Sequence, residues 1–450
     1  MSPFRSGSPE GCTGARRTTE KMTRNPFSPI NVGIDAVSIF VPHHYFSIEE
    51  LAQIRNVNAE KFTVGLGCSK MAILGPTEDP VTMAAGAGRS LLDRSGIDPR
   101  EIGMLVVGTE SAVDESKPIA VYVHEMLGLS PRCRVMDLKN ACYAGTAALR
   151  AAMAWAATPA AAGRKALVIT TDVAYYDLAS PGEPTQGAAA VALLVTQNPQ
   201  LLIIDSQTEA IYTHEVMDFW RPTYRNSALV DGHFSLECYL ESLRACYNMH
   251  KEMTGLSLAD FRHVLFHTPF PKMAYKAHHR LFELEGGALA LGMTEEDSFR
   301  WKVMPTLRAA RELGNVYASS LFAALISLLE DGSLQVGQQI ALFSYGSGSS
   351  SEFFTGRIGP AIASWNRNTG FSEQLTRRRR ISYEEYLFYR AAYEQRNRDG
   401  YFVEDQPTEE TPFLFLGIKK HKRQYAFLNP GRMEASASAA AAATEDAEQN

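Results

Sequence analysis

Short apolar runs alternate with longer stretches of helical periodicity along most of the chain. Residues 32–41 and Ile102–Gly108 have the length and the composition of buried strands. Pro80–Ser95 and residues 121–127 instead space their apolar positions as a helix does. Because strands and helices follow one another in turn, the pattern predicts an α/β fold in which helices pack against a sheet.

The same order of elements occurs in each half of the chain. In the first half, a short strand at Arg134–Leu138 precedes a helix of small residues at 141–157, and 166–171 and 189–195 follow as buried strands. The second half repeats this order in its own segments, namely a strand at His263–Phe266, a small-residue helix at 316–329, a strand at 339–344 and its pairing partner at 351–355. The repetition predicts two similar halves.

The polar residues of both halves follow strand ends, where ligands of α/β sheets usually bind. We therefore expect a pseudo-twofold core with a site between an N-terminal half, residues 31–200, and a C-terminal half, residues 201–430. Residues 1–30 and 431–450 lack hydrophobic periodicity, and we expect both segments to be disordered. The first of them has no apolar core of the kind that a secretory signal contains.

The composition excludes several classes of function. The chain has 450 residues with a formal charge of −6, which argues against a nucleic-acid partner. No apolar run approaches the roughly 18 residues that span a bilayer, so we expect no membrane segment. The cysteines form no CxxC pair and have no zinc-type spacing, which predicts a cytoplasmic protein without a metal site; they are Cys12, Cys68, Cys133, Cys142, Cys238 and Cys246.

Cys142 is the cysteine with the most reactive local context. It lies between the strand that ends at Leu138 and the following helix, beside the small residues Ala141, Ala144 and Gly145. The N-terminus of a helix favours a thiolate, and its free N–H groups can hold a developing oxyanion. The context therefore predicts a nucleophile, and a buried, inert cysteine is the alternative.

Two further residues at strand ends could serve such a nucleophile. Glu110 follows an apolar strand, where partial burial would raise its pKa into the range of a general acid or base. His267 ends another apolar strand and would supply a neutral imidazole. A capping glutamate and a core histidine with satisfied hydrogen bonds are the alternatives for these residues.

Other segments carry weaker signals. Lys272 and Lys276 lie one helical turn apart, on one face, and could meet an anionic group. The Gly/Ser turn at 345–350 would expose backbone N–H groups to a ligand, and the turn at 182–188 is similar. The arginines at 377–380 are typical of a solvated patch.

Several segments occur in one order and at one spacing that match a known family. They are residues 109–114, 140–148, 182–187, 218–222, 230–232, 266–270, 314–317 and 343–348. Together they resemble the hydroxymethylglutaryl-CoA synthase family over about residues 32–427. The resemblance implies a thiolase-like, layered αβαβα fold built from two similar halves, and it suggests a homodimer.

The resemblance also implies a role for each candidate residue. Cys142 would carry an acetyl group from acetyl-CoA, Glu110 would act as acid and base, and His267 would polarise the acceptor carbonyl of acetoacetyl-CoA. Coenzyme A thioesters would be the substrates, and no cofactor is implied. Positions that hold substrate, its thioester oxygen or the coenzyme A phosphates are Thr185, Ser235, Asn315, the backbone of Ser347, Lys272 and Lys276.

Two acceptors of the acetyl carbon are compatible with this interpretation. The mevalonate branch of the family acts on free acetoacetyl-CoA, and a related branch adds an acetyl carbon to a β-ketoacyl chain on an acyl carrier protein during polyketide assembly. Residues 182–187 and 218–222 favour the mevalonate branch. A Cys-His hydrolase would not need the pairing of Glu110 with His267, and an inactive scaffold would usually have lost one residue of the three.

Overall fold

The computed structural model of the protein describes residues 31–403 and 412–427, and these belong to one compact unit. The segments 1–30 and 431–450, which we expect to be disordered, lie outside the described residues. Within 31–403 and 412–427, no helix combines the length and the hydrophobicity needed to cross a membrane.

Strands and helices alternate along the described residues, as the hydrophobic pattern predicts. The strands are β1 (Val32–Phe40), β2 (His44–Ser47), β3 (Lys70–Ile73), β4 (Ile102–Gly108), β5 (Arg134–Leu138), β6 (Lys165–Ala174), β7 (Gly187–Gln197), β8 (Leu202–Ile204), β9 (Ala210–Thr213), β10 (Phe219–Trp220), β11 (Leu229–Val230), β12 (His263–Phe266), β13 (Gln339–Gly346), β14 (Ser350–Ile358), β15 (Arg379–Arg380), β16 (Phe413–Lys419) and β17 (Lys422–Phe427). The α-helices are α1 (Ile48–Ile54), α2 (Glu60–Thr63), α3 (Pro80–Ser95), α4 (Ile119–Leu127), α5 (Ala144–Ala156), α6 (Gly232–Thr254), α7 (Pro271–Leu284), α8 (Gly287–Leu291), α9 (Glu295–Lys302), α10 (Arg308–Leu313), α11 (Ser320–Asp331), α12 (Ile362–Trp365), α13 (Phe371–Arg377) and α14 (Tyr383–Gln395).

A ten-stranded mixed sheet organises both halves of the protein. Its order is β12-β13-β14-β8-β1-β7-β6-β4-β5, with β9 also paired to β14. In the first half β4 runs parallel to β5 and β6, and β6 then pairs antiparallel with β7. In the second half β12 runs parallel to β13, which pairs antiparallel with β14. This repeated order confirms the α/β fold with two similar halves.

The central strands are covered on both faces. Every residue of β4 is buried, as is nearly every residue of β6 and β7. Continuous apolar strands of this kind are typical of a sheet that lies between helices. The helices α5 and α11, both rich in small residues, lie in this core. There is no room for a Cβ at Gly145 on α5, because that atom would lie 2.5 Å from the carbonyl oxygen of Ala318.

The helix predicted from residue 141 begins three residues later, at Ala144. Residues 140–143 form a tight turn instead, in which the N–H of Tyr143 donates to the carbonyl of Asn140 at 3.0 Å. Ala141 has a φ of 43°, in the left-handed region, so the chain cannot be helical there. Cys142 therefore lies in the turn that precedes the helix.

Candidate active site

Two adjacent parallel strands bring Cys142 and Glu110 together. Gly108, the last residue of β4, pairs with Leu138, the last residue of β5. Glu110 follows β4 and the Cys142 turn follows β5, so both side chains emerge at the same edge of the sheet. The Cys142 Sγ lies 3.7 Å from Glu110 Oε1, and both residues are buried.

Asp172 fixes the backbone that carries Glu110. It lies on β6, the other neighbour of β4, and is fully buried. Its Oδ1 accepts hydrogen bonds from the Glu110 N–H at 2.9 Å and from the hydroxyls of Thr109 at 2.9 Å and Ser111 at 2.8 Å. Its Oδ2 accepts from the N–H of Ala318 at 3.0 Å, which joins this turn to the second half.

Burial changes the protonation of the pair. It raises the pKa of the Glu110 carboxyl, with the nearby charge of Asp172 adding to the effect. This agrees with the pKa expected from the sequence for a general acid or base. Burial also raises the pKa of the Cys142 thiol well above its usual range, and the Glu110 carboxylate adds to the effect. The thiolate expected from the sequence is therefore not favoured in this state, because burial and the carboxyl groups of Glu110, Asp172 and Asp218 all raise the pKa of the thiol.

His267 follows β12 in the second half and is held by its backbone. Its N–H donates to the carbonyl of Phe343 on β13 at 2.8 Å, and its carbonyl accepts from the Tyr239 hydroxyl at 2.8 Å. Burial lowers the pKa of the imidazole to about 3, so the ring is neutral, as the sequence predicts. Its Nδ1 has no hydrogen-bond partner within the described part of the chain.

A cavity of about 590 Å³ joins these residues. Cys142 lines it from the first half and His267 from the second. The other candidate residues in its wall are Thr185, Ser235, Lys276, Asn315 and Ser347. Lys272 is not among the residues that line this cavity, and its Nζ lies 4.2 Å from the centre of the Tyr275 ring. All of the predicted site residues except Glu110 and Lys272 thus line one cavity, and Glu110 contacts the thiol of Cys142.

The segments that carry Thr185 and Asn315 are in direct contact. The Asn315 N–H donates to the Thr185 carbonyl at 2.8 Å. Gly314, just before, has φ 81° and ψ −160°, a conformation open essentially to glycine alone. A Cβ there would lie 1.9 Å from the Gln186 carbonyl oxygen. Glycine at this position therefore allows the two cavity segments to approach each other.

Asp218 connects two segments that form the wall of the cavity. It is fully buried and accepts hydrogen bonds from the Tyr345 hydroxyl at 2.7 Å, the Ser235 hydroxyl at 3.1 Å and the Gly348 N–H at 2.9 Å. These contacts join α6 to the Gly/Ser turn that follows β13. Asp218 thus holds two walls of the cavity together.

The sequence pattern alone does not single out Asp172, Asp218 or Arg221. Arg221 donates a hydrogen bond to the backbone carbonyl of Glu110. A carboxylate inside a buried strand is the available signal for Asp172. For Asp218 and Arg221 the signal was only their place in a segment of the family resemblance.

The side chains of Cys142, Glu110 and His267 are suited to acyl and proton transfer. A buried thiol can carry an acyl group as a thioester, a carboxylate with a raised pKa can move a proton, and a neutral imidazole can hold a carbonyl oxygen. Within the described ranges no three His, Cys, Asp or Glu side chains cluster so that they could bind a metal ion. The fold and this cavity define a thiolase-like condensing enzyme.

Comparison with known proteins defines the family. The family model described as hydroxymethylglutaryl-coenzyme A synthase N terminal matches residues 28–200, and the corresponding C-terminal model matches residues 202–285 and 288–427. The chain belongs to the hydroxymethylglutaryl-CoA synthase family, whose members form a carbon–carbon bond with acyl transfer.

Relatives from two branches of the family are similar to the chain. It is 41% identical to the hydroxymethylglutaryl-CoA synthase of Enterococcus faecalis over 73% of this chain and 83% of that protein. It is 33% identical to PksG of Bacillus subtilis (strain 168), a polyketide biosynthesis 3-hydroxy-3-methylglutaryl-ACP synthase, over 89% of this chain and 100% of that protein. The solved structure of MvaS in complex with 3-hydroxy-3-methylglutaryl coenzyme A has a TM-score of 0.82 at 40% identity, covering 89% of this chain and 100% of that chain.

Proposed function

We propose that the protein condenses free acetyl-CoA with acetoacetyl-CoA to give 3-hydroxy-3-methylglutaryl-CoA and coenzyme A, as a step of the mevalonate pathway. The observation that carries this proposal is the cavity that Cys142 and His267 line from opposite halves, with the Glu110 carboxylate 3.7 Å behind the thiol. One group for acyl transfer, one for proton transfer and one for the acceptor carbonyl thereby lie in the wall of one cavity or in contact with it.

The first step transfers the acetyl group. The Cys142 sulfur attacks the acetyl-CoA carbonyl, the bond from that carbon to the coenzyme A sulfur breaks, and the thiol proton ends on coenzyme A. Because burial raises the pKa of Cys142, the proton leaves as the new thioester bond forms rather than beforehand. Backbone N–H groups at the Cys142 turn and at Ser347 hold the thioester oxygen.

The second step forms the carbon–carbon bond. Glu110 removes a proton from the acetyl methyl group, and the resulting carbanion attacks the ketone carbon of acetoacetyl-CoA. His267 is neutral, so it donates a hydrogen bond to the ketone oxygen without bringing a positive charge into the cavity. That oxygen takes up one proton as it becomes a hydroxyl, in place of the proton removed from the methyl group.

The third step releases the product. Water attacks the Cys142 thioester, and the hydroxymethylglutaryl group leaves as its coenzyme A ester with a free carboxylate while the thiol is regenerated. Thr185, Ser235 and Asn315 hold the substrate. Lys276 meets the coenzyme A phosphates, with Lys272 one turn earlier on α7 as a second cation for them.

A carrier-protein acceptor is the second candidate, and the match to PksG over that protein's whole length favours it. Under this alternative the acetyl carbon is added to a β-ketoacyl chain held on an acyl carrier protein. Three expectations are common to both candidates, namely a homodimer, which sedimentation at several protein concentrations tests, a cytoplasmic location, and a reaction without a cofactor.

A comparison of acceptors tests the proposal. The acetylated protein is mixed with acetoacetyl-CoA or with the same acyl group on a carrier protein, and kcat/KM is measured for each. We expect the higher kcat/KM with acetoacetyl-CoA. Turnover with the carrier-bound acceptor alone would assign the protein to the polyketide branch, and turnover with neither would refute both.

A further inference from the structure

Arg221 connects a hairpin of the second half to Glu110. It directly follows β10, and its guanidinium donates a hydrogen bond to the backbone carbonyl of Glu110. The hairpin is anchored by two residues just before this arginine, Asp218 and Phe219. Asp218 binds Tyr345 and Gly348, and the Phe219 ring packs in the cluster that contains Cys142. Arg221 is therefore held in place rather than free to swing.

The charges around Glu110 oppose one another. Asp172 on β6 and the burial of the site disfavour the carboxylate, and their effect raises its pKa. Arg221 and, to a smaller extent, Lys139 act in the opposite direction, and the Cys142 thiol donates a hydrogen bond to the carboxylate. Tyr176 and Tyr317 line the cavity beside Cys142, and the charge of Glu110 raises the pKa of each of their hydroxyls. Arg221 is thus the principal cation that offsets Asp172.

We propose that Arg221 is a positioning residue for Glu110, which holds the Glu110 peptide in place and stabilises the ionised form of the neighbouring carboxylate for removal of the methyl proton. This inference rests on the proposed function, because only the condensation step uses Glu110 as a base. Arginine suits the task since its guanidinium is always charged and presents several donors in a fixed plane.

Two substitutions separate charge from hydrogen bonding. Arg221→Gln keeps a donor and removes the charge, whereas Arg221→Lys keeps the charge and removes the planar fork. The matched control is Arg300→Gln on α9, which removes the same charge from an exposed arginine paired with Glu296. Condensation by pre-acetylated protein and acetylation by acetyl-CoA are followed separately as functions of pH.

For Arg221→Gln we expect condensation at neutral pH to fall at least about tenfold. The acid limb of its pH profile should move up by about one pH unit, so that the loss is smaller in alkaline buffer. Acetylation should stay close to the native rate. Arg221→Lys should keep the native position of the limb at a lower maximum rate, and Arg300→Gln should match the native protein throughout.

A measurement without substrate keeps this inference separate from the proposed function. Infrared difference spectra report the protonated Glu110 carboxyl, and the Glu110→Gln variant identifies its band. The midpoint of this band should lie about one pH unit higher in Arg221→Gln than in the native protein. An unchanged midpoint, or a condensation profile that is lowered without a shift, would overturn the role of Arg221. If the native protein does not condense at all, the proposed function fails, while the infrared midpoint still decides whether Arg221 controls Glu110.

Discussion

At the scale of single residues, burial sets the protonation states of the cavity. It keeps His267 neutral, raises the pKa of Glu110 and holds Cys142 as a thiol. Each of these states suits one step of the proposed reaction. A neutral imidazole can donate to a carbonyl oxygen, and a carboxylate with a raised pKa is a stronger base than an exposed one.

Replacement of Glu110 by glutamine should separate the two halves of the reaction. We expect condensation to fall by about 100-fold or more, because the base for the methyl proton is lost. Acetylation should persist, since the Glu110 carboxylate raises the pKa of the thiol and its removal makes the thiolate easier to form. Single-turnover assays of each step measure the effect. Glu115→Gln, the same change at an exposed position, is the control, and normal condensation by Glu110→Gln would exclude Glu110 as the base.

The raised pKa of Glu110 gives the condensation step a defined pH dependence. Below its pKa the carboxyl is protonated and cannot accept the methyl proton, so the rate should fall as the pH falls. Because burial raises that pKa, the fall should begin at a higher pH than an ordinary glutamate would give. The rate of condensation from pre-acetylated protein, measured from acidic to alkaline pH, checks this. A rate that stays constant down to about pH 5, near the ordinary pKa of glutamate, would contradict it.

The sequence could identify the residues that the structure gathers around the thiol, but not those that hold them. Glu110, Cys142 and His267 each follow an apolar strand, so their place at the sheet edge could be predicted. The roles of Asp172 and Arg221 depend on contacts between segments far apart in the chain. No local pattern encodes such contacts, and the pKa of Cys142 depends on them as well.

At the scale of elements, the turns between strands and helices determine the geometry of the cavity. The hydrophobic pattern located the elements that it predicted to within a few residues, because apolar periodicity follows burial directly. It placed the start of α5 too early, since Ala141 itself has high helix propensity and only the observed backbone shows the left-handed turn. That turn is what brings Cys142 to the cavity.

Gly314→Ala should damage the turn that joins Asn315 to Thr185. The substitution forces a Cβ to within 1.9 Å of the Gln186 carbonyl oxygen in a conformation that only glycine tolerates, so we expect a loss of at least about 3 kcal/mol of unfolding free energy and of most activity. Urea unfolding and the condensation assay measure both effects.

Gly96→Ala is the matched control for this turn. Gly96 also has a positive φ, but nothing lies within 4 Å of an added Cβ. The Gly96→Ala substitution should lower the free energy of unfolding by about 1 kcal/mol and leave activity unchanged. Equal losses in the two variants would show that steric contact with Gln186 is unimportant.

At the scale of the whole molecule, the two halves share a sheet and a buried ion pair. The strand β8 pairs with β1 of the first half and with β14 of the second. Arg150 on α5 donates to the buried Glu352 on β14, which also accepts from the Tyr143 hydroxyl at 2.7 Å. Since Tyr143 follows Cys142, this network ties the Cys142 turn to the second half.

Arg150→Met should therefore destabilise the protein as a whole. Removal of the Arg150 guanidinium leaves the Glu352 carboxylate buried without this cation, and we expect a loss of about 3 kcal/mol in the free energy of unfolding. Urea unfolding measures it. Arg244→Met, which breaks an exposed ion pair with Glu241, is the control and should cost less than about 1 kcal/mol. A similar small loss for Arg150→Met would mean that the network does not stabilise the joined halves.

The most direct test of the central claim is to follow the acetyl group by mass spectrometry. The protein is incubated with acetyl-CoA, digested and analysed for acetylated peptides, and a second sample then receives acetoacetyl-CoA. We expect an acetyl group on Cys142, its loss when the acceptor is added, and the appearance of 3-hydroxy-3-methylglutaryl-CoA. The Cys142→Ser variant should give neither the acetylated peptide nor the product. An unmodified Cys142 in the native protein, or full product formation by Cys142→Ser, would contradict the account.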